Sequence, residues 1–304
     1  MLLAGLVLGL PGCCSSGGVP HVQPQSVSAD GASGGPTTLA FPERLGQGYT
    51  VVLPGVMGSA PLDHGIVKGL VAADVPTAVE LYDWTAAPFR PVHNLRALSR
   101  NRAEAQKVAA RIVAYQDRFP GRPVYLIGYS GGAAVAVLTL EALPPDRTIT
   151  KAVLLAPTLA QDYDLQLALS RTDEGIHSFH SAIDVPVMVV LATAVGTTEG
   201  KHAFTAGAFG FQRPRGPEAS QRRPDYFRLT QHAYELKMLE SGHAGGHFGW
   251  ANRDWVARWV APLLEGTPPT EQSWPEHVAV HEDRGDMPRA QPAAFSNDSL
   301  APLR

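Results

Sequence analysis

The chain has 304 residues, 44% of them hydrophobic and 17% charged, enough to bury one sizeable core. A net charge of −3 with no long charge run gives no electrostatic footprint for nucleic acid. Cys13 and Cys14 are the only cysteines, so the rest of the chain excludes disulfides, thiolate catalysis and Cys-ligated metal.

Residues 1–12 carry no charge and form an apolar run too short to span a bilayer, which reads as the h-region of an export signal. The run ends in Leu10-Pro11-Gly12-Cys13, which resembles a bacterial lipobox. That likeness implies a lipid on Cys13 and a membrane-anchored lipoprotein outside the cytoplasm. The plainer reading of residues 1–14 is an apolar stub leading into a linker. Residues 15–39 are rich in Ser, Gly and Pro and bury too little to offset their ordering entropy, so a flexible linker is expected. Residues 266–304, with repeated Pro and mixed charge, read as a disordered tail. One folded domain is expected over residues 40–265.

Within that domain, strand and helix signals alternate. Tyr49-Thr50-Val51-Val52-Leu53 is a buried strand stopped by Pro54-Gly55. A short helix over Gly65 to Ala73 leads to a second strand, Ala78 to Tyr82. Ala105, Val108, Ile112, Tyr115 and Phe119 recur at spacings of three and four, an amphipathic helix that Pro120-Gly121 ends. Strand Val124 to Ile127 follows, then a small-residue helix from Gly131 to Leu143, then strand Ala152 to Leu155. Short apolar strands between helices predict an α/β fold with a mostly parallel sheet covered on both faces.

Gly128-Tyr129-Ser130-Gly131-Gly132 stands directly between a buried strand and an apolar helix. A GxSxG run in this setting is a nucleophile elbow. The serine holds a strained backbone, the glycines prevent collisions, and the Gly131 amide at the start of the helix points to where an oxyanion forms. The competing reading is a glycine turn that only lets the helix pack closely, as in nucleotide-binding loops. No GxGxxG and no Walker-type Lys supports it.

On this elbow and the order of elements over residues 48 to 263, the chain resembles the α/β-hydrolase superfamily, in its serine esterase and lipase branch. The resemblance implies a three-layer sandwich, here with about six strands, since few ordered residues precede Tyr49. It also implies a second oxyanion amide from the loop Leu53 to Ser59, where Pro54 replaces the family's His. Val56 falls on the donor position and Met57 is its neighbouring alternative. The family places its base in a loop before the last helix, here Gly242-His243-Ala244-Gly245-Gly246-His247-Phe248-Gly249. Spacing to the following helix, Arg253 to Leu264, favours His247, with His243 the alternative.

The acid lies between serine and histidine in this family's order. Asp184 follows the period-2 segment Ile176 to Ser181 and is the favoured acid, with a helix N-cap as its bland reading. If the strand is instead Val185 to Leu191, Glu199 is the acid. Asp83 or Trp84 lines the site, or Trp84 is core, and Tyr129 is packing. The long segment from Gly200 to Arg223 reads as a lid or binding loop.

The expected activity is cleavage of a carboxylic ester, of lipid or other acyl type, through an acyl-enzyme on Ser130. Thioesterase, acyltransferase and peptidase activity use the same three residues, and a lipid-tethered binding protein on the same scaffold is the non-enzymatic rival. No cofactor or metal is implied; the expected partners are a small-molecule or lipid ester and, through the anchor, a membrane.

Overall fold

Residues 38–58, 60–86, 90–184, 204–213 and 225–265 are described in the computed structural model. The expected lipid site at Cys13, the alternative acid Glu199, the rival strand from Val185, the tail and most of the linker and lid segment lie outside these residues.

The apolar runs become β2 (Tyr49–Leu53), β3 (Ala78–Leu81), β4 (Val124–Tyr129), β5 (Lys151–Leu155) and β6 (Ile176–His180), joined by β1 (Thr38–Ala40) and β7 (Leu229–Ala233). All seven form one sheet in the order β1-β3-β2-β4-β5-β6-β7. β1 is antiparallel to β3, and every other pair is parallel. Parallel neighbours need crossovers, and helices supply most of them. These are α1 (His64–Ala72), α2 (Pro91–Arg96), α3 (Leu98–Arg118), α4 (Gly131–Ala142), α5 (Gln166–Leu169) and α6 (Ala206–Phe209), with α7 (Arg253–Trp259) closing the domain.

Alternation along the strands sorts side chains into two layers. Val51, Leu53, Leu126 and Leu154 pack with Val108 and Ile112 of α3 and Val135 of α4. Val52, Ile127, Val153 and Leu155 pack with Ile66 and Leu70 of α1 and Trp255 and Val256 of α7. Both sheet faces are therefore dry, which is why the central strands carry few polar residues. Residues 131–140 of α4 are buried without a break, as expected of a helix apolar on all sides. The result is an α/β-hydrolase-type three-layer sandwich.

The sheet has seven strands where the sequence points to about six. Thr38–Ala40 is too short to show a period, and it is a strand only because β3 offers it an open edge. Leu229-Thr230-Gln231-His232-Ala233 has little apolar pattern, and its strand state comes from pairing with β6.

Candidate active site

β4 turns directly into α4 through Gly128-Tyr129-Ser130-Gly131-Gly132. Ser130 sits at φ 54° and ψ −117°. A residue with a Cβ is strained there by about 1–3 kcal/mol, so its surroundings must hold it. Its N–H donates to the Leu155 carbonyl of β5 at 2.8 Å. A Cβ on Gly128 would lie 2.5 Å from Ala133 Cα, and one on Gly132 would lie 2.3 Å from the carbonyl oxygens of Leu53 and Pro54. Only glycine fits either position. A Cβ on Gly131 would meet Val56 Cγ1 at 2.3 Å, so the start of α4 and the loop after β2 touch at this point.

His247 Nε2 lies 3.0 Å from Ser130 Oγ, and His247 Nδ1 lies 2.7 Å from Asp184 Oδ2. Ser130, His247 and Asp184 are all buried. With the carboxylate accepting from Nδ1–H, the Nε2 lone pair is left to accept the serine proton. Local contacts bring the three together. Asp184 ends the 3₁₀ turn Ala182–Asp184 that follows β6, and its N–H donates to the Ser181 carbonyl at 3.1 Å. Ser181 Oγ donates to the Gly245 carbonyl at 2.6 Å, tying the acid's turn to the histidine loop. Tyr129 Oη donates to the His247 carbonyl at 3.2 Å. Beyond the loop, Asn252 Oδ1 caps α7 by accepting from the N–H groups of Asp254 and Trp255.

His243, the alternative base, is not brought to Ser130. It is fully buried against Trp250 and Trp255, with ring centroids 4.0 and 5.3 Å away, and its Nδ1 accepts from the Gly245 N–H at 2.9 Å. Burial pushes its pKa down to about 4. His177 and His180 are held down to about 4, and His232 to about 3, chiefly by the same cause.

These four histidines bind protons more readily in the unfolded chain, so their contribution to stability is present above pH 6.5 and is lost as the pH falls toward 4. At pH 5 each such histidine costs about 2 kcal/mol relative to pH 8. Asp63 acts in the opposite sense: burial raises its carboxyl to about 6, so acid favours the fold at this site. That returns only about 1 kcal/mol at pH 5, and the histidines win. The urea midpoint is therefore expected to fall between pH 7 and pH 5 at constant slope; an unchanged midpoint would contradict the assignment.

The loop after β2 is held by three buried side chains. Trp84 Nε1 donates to the Pro54 carbonyl at 2.7 Å, Asp63 Oδ1 accepts from the Gly55 N–H at 2.7 Å, and Asn94 Nδ2 donates to the Val56 carbonyl at 2.9 Å. Among the described residues, the N–H groups of Val56 and Gly131 have no hydrogen-bond partner. Met57, the alternative donor, is 38% exposed. Trp84 is 1% exposed and packs in the core, and Asp83 Oδ1 accepts from the N–H and hydroxyl of Thr85. Sequence reasoning missed Asp63 and Asn94 altogether. Asp63 reads locally as the N-cap of α1, yet its side chain makes no cap hydrogen bond and turns to Gly55 instead. Among the described residues, no group of three or more His, Cys, Asp or Glu is placed to hold a metal ion.

No protein-family model matches the chain, and no curated protein matches it. Solved structures do. Over 76% of this chain and 55% of its own, lipase B of Aspergillus fumigatus is 12% identical with a TM-score of 0.45. The esterase domain of a Rhodothermus marinus protein is 15% identical over 75% of this chain and 88% of its own, at 0.41. A dienelactone hydrolase-like promiscuous phosphotriesterase from metagenomic libraries is 14% identical over 72% and 86%, at 0.40. The chain spans about half the length of the Aspergillus lipase. All three likenesses are distant, and the α/β-hydrolase-type fold is read from this chain's own strand order.

Proposed function

We propose that the chain is a serine hydrolase that cleaves a carboxylic ester through an acyl-enzyme on Ser130. The observation that carries this reading is the unbroken line of hydrogen bonds from Asp184 through His247 to Ser130 Oγ, at 2.7 and 3.0 Å. Serine is a weak nucleophile until a positioned base takes its proton, and this line supplies the base and its orientation.

In the first half-reaction Ser130 Oγ bonds to the substrate carbonyl carbon as its proton passes to His247 Nε2. The carbonyl π electrons move to oxygen, and the Val56 and Gly131 amides, without partners among the described residues, donate to that oxyanion. Collapse breaks the bond to the alkoxy group, which leaves as the alcohol with the proton from His247. A water then attacks the acyl-enzyme, gives its proton to His247, and a second collapse releases the acid and returns the proton to Ser130. Asp184 stays ionised and stabilises the imidazolium in both halves.

A fluorophosphonate reports on the reading directly, because a serine activated by its base displaces the fluoride and becomes phosphonylated. The folded protein is expected to be labelled with one equivalent, mapped by peptide mass spectrometry to the segment holding Ser130. Absence of labelling in folded protein would sink the hydrolase reading.

A further inference from the structure

The loop Pro54-Gly55-Val56 carries more restraint than a turn leaving a strand needs. Three consecutive residues each have a backbone polar group bound by a different buried side chain. Trp84, three residues past β3, holds the Pro54 carbonyl, Asp63 ahead of α1 holds the Gly55 N–H, and Asn94 on α2 holds the Val56 carbonyl. These side chains are at most 2% exposed. The Tyr129 ring closes the remaining side, because a Cβ on Gly55 would lie 3.3 Å from it.

Burying a carboxylate is costly unless something answers it, and this one is answered by the Gly55 N–H, with no salt bridge to a cation among the described residues. Another carboxylate, Asp83, adds to the cost. A purely structural turn is satisfied more cheaply by a neutral acceptor. What the arrangement does accomplish is to set the two peptide planes that flank the Val56 N–H. With the Val56 carbonyl drawn to Asn94 and the Gly55 N–H drawn to Asp63, the Val56 amide has no acceptor among the described residues. It stands beside Gly131, whose own amide is likewise without an acceptor among the described residues.

We propose that Asp63 is a positioning residue for ester hydrolysis. Acting through the Gly55 peptide, and together with Trp84 and Asn94, it orients the Val56 N–H toward the oxyanion. This proposal rests on the serine-hydrolase reading above. Donors aimed in advance at developing charge cost no reorganisation when the reaction occurs, so a loosened loop lowers kcat and leaves ground-state binding nearly untouched.

The test uses the whole chain with a short-chain aryl ester and a boronic acid that forms a tetrahedral adduct on the serine. Asp63→Ala is expected to lower kcat by about 10- to 100-fold with KM within about two-fold, and to weaken the boronate by a similar factor. Asp63→Asn keeps an oxygen that accepts from the Gly55 N–H and is expected to restore kcat to within a few-fold of wild type. A residue that only stabilises the fold would lower the melting temperature without this split between kcat and KM. If Asp63→Ala does not fold, Trp84→Phe replaces it, since it frees the Pro54 carbonyl while keeping the core filled, and the same split is expected. Unchanged kcat in the folded variant, or equal losses in Asp63→Ala and Asp63→Asn, overturns the positioning role. Fluorophosphonate labelling separates the two ideas. An unlabelled wild type defeats the hydrolase reading itself, whereas a labelled wild type with a fully active Asp63→Ala defeats only the role of Asp63.

Discussion

Ser130→Ala is expected to leave a folded protein whose turnover of a short-chain aryl ester is lower by about 10⁴-fold or more. The substitution removes one oxygen, which in the proposed reaction is both the bond-forming atom and the source of the proton that His247 accepts. Nothing else at the turn has to move. The strained backbone at φ 54° already carries a Cβ, and the N–H still reaches the Leu155 carbonyl. The lost hydrogen bond to His247 costs about 1 kcal/mol of stability, too little to unfold a domain of this size. Fluorophosphonate labelling is expected to vanish in the same variant. Turnover within ten-fold of wild type would mean that another group attacks the ester.

Asp184→Asn is the second large effect, with kcat expected to fall by about 10³- to 10⁴-fold while KM changes little. Asp184 is buried, and among the described residues its side chain bonds to His247 Nδ1 alone. Asparagine matches the carboxylate in shape, so packing survives. If its amide NH₂ faces the ring, it donates to Nδ1, which places the histidine proton on Nε2, and a protonated Nε2 cannot take the proton of Ser130. If its oxygen faces the ring, the tautomer is kept but the charge that stabilises the imidazolium is gone. Asp184→Ala adds a cavity to the same loss and is expected to be less stable. Near-normal turnover in Asp184→Asn would remove Asp184 from the reaction, with the imidazolium then stabilised by another group.

The three residues joined in the site differed in how far the sequence reveals them. Ser130 is announced by its own neighbours, because a strained strand-to-helix turn demands Gly128 and Gly132 within two positions. His247 needed one non-local assumption, that the glycine-rich loop before the last helix returns to the elbow. Its rival His243 has the same kind of neighbours and differs only in falling among Trp250 and Trp255. Asp184 depends on whether β6 or the segment after it is the strand. The structure has Ile176–His180 as that strand and joins the following turn to the histidine loop through Ser181.

Of the fold, the central strands, the helices that cover them and the α/β class are legible in the chain's local pattern. Buried parallel strands and amphipathic helices are written in local periodicity, and Pro and Gly mark their ends. The edges were decided by tertiary structure. Thr38–Ala40 and Leu229–Ala233 carry little pattern of their own and are strands because β3 and β6 present unpaired backbone to them. The same holds around Ser130. The elbow is a local motif, dictated by sterics across five residues. The clamp on Gly55 and Val56 joins Asp63, Trp84 and Asn94, which lie 8 to 38 positions from the groups they bind. A hydrogen bond across that distance leaves no periodicity in the chain. It exists only once the sheet has folded and brought the ends of β2, β3 and β4 to one edge.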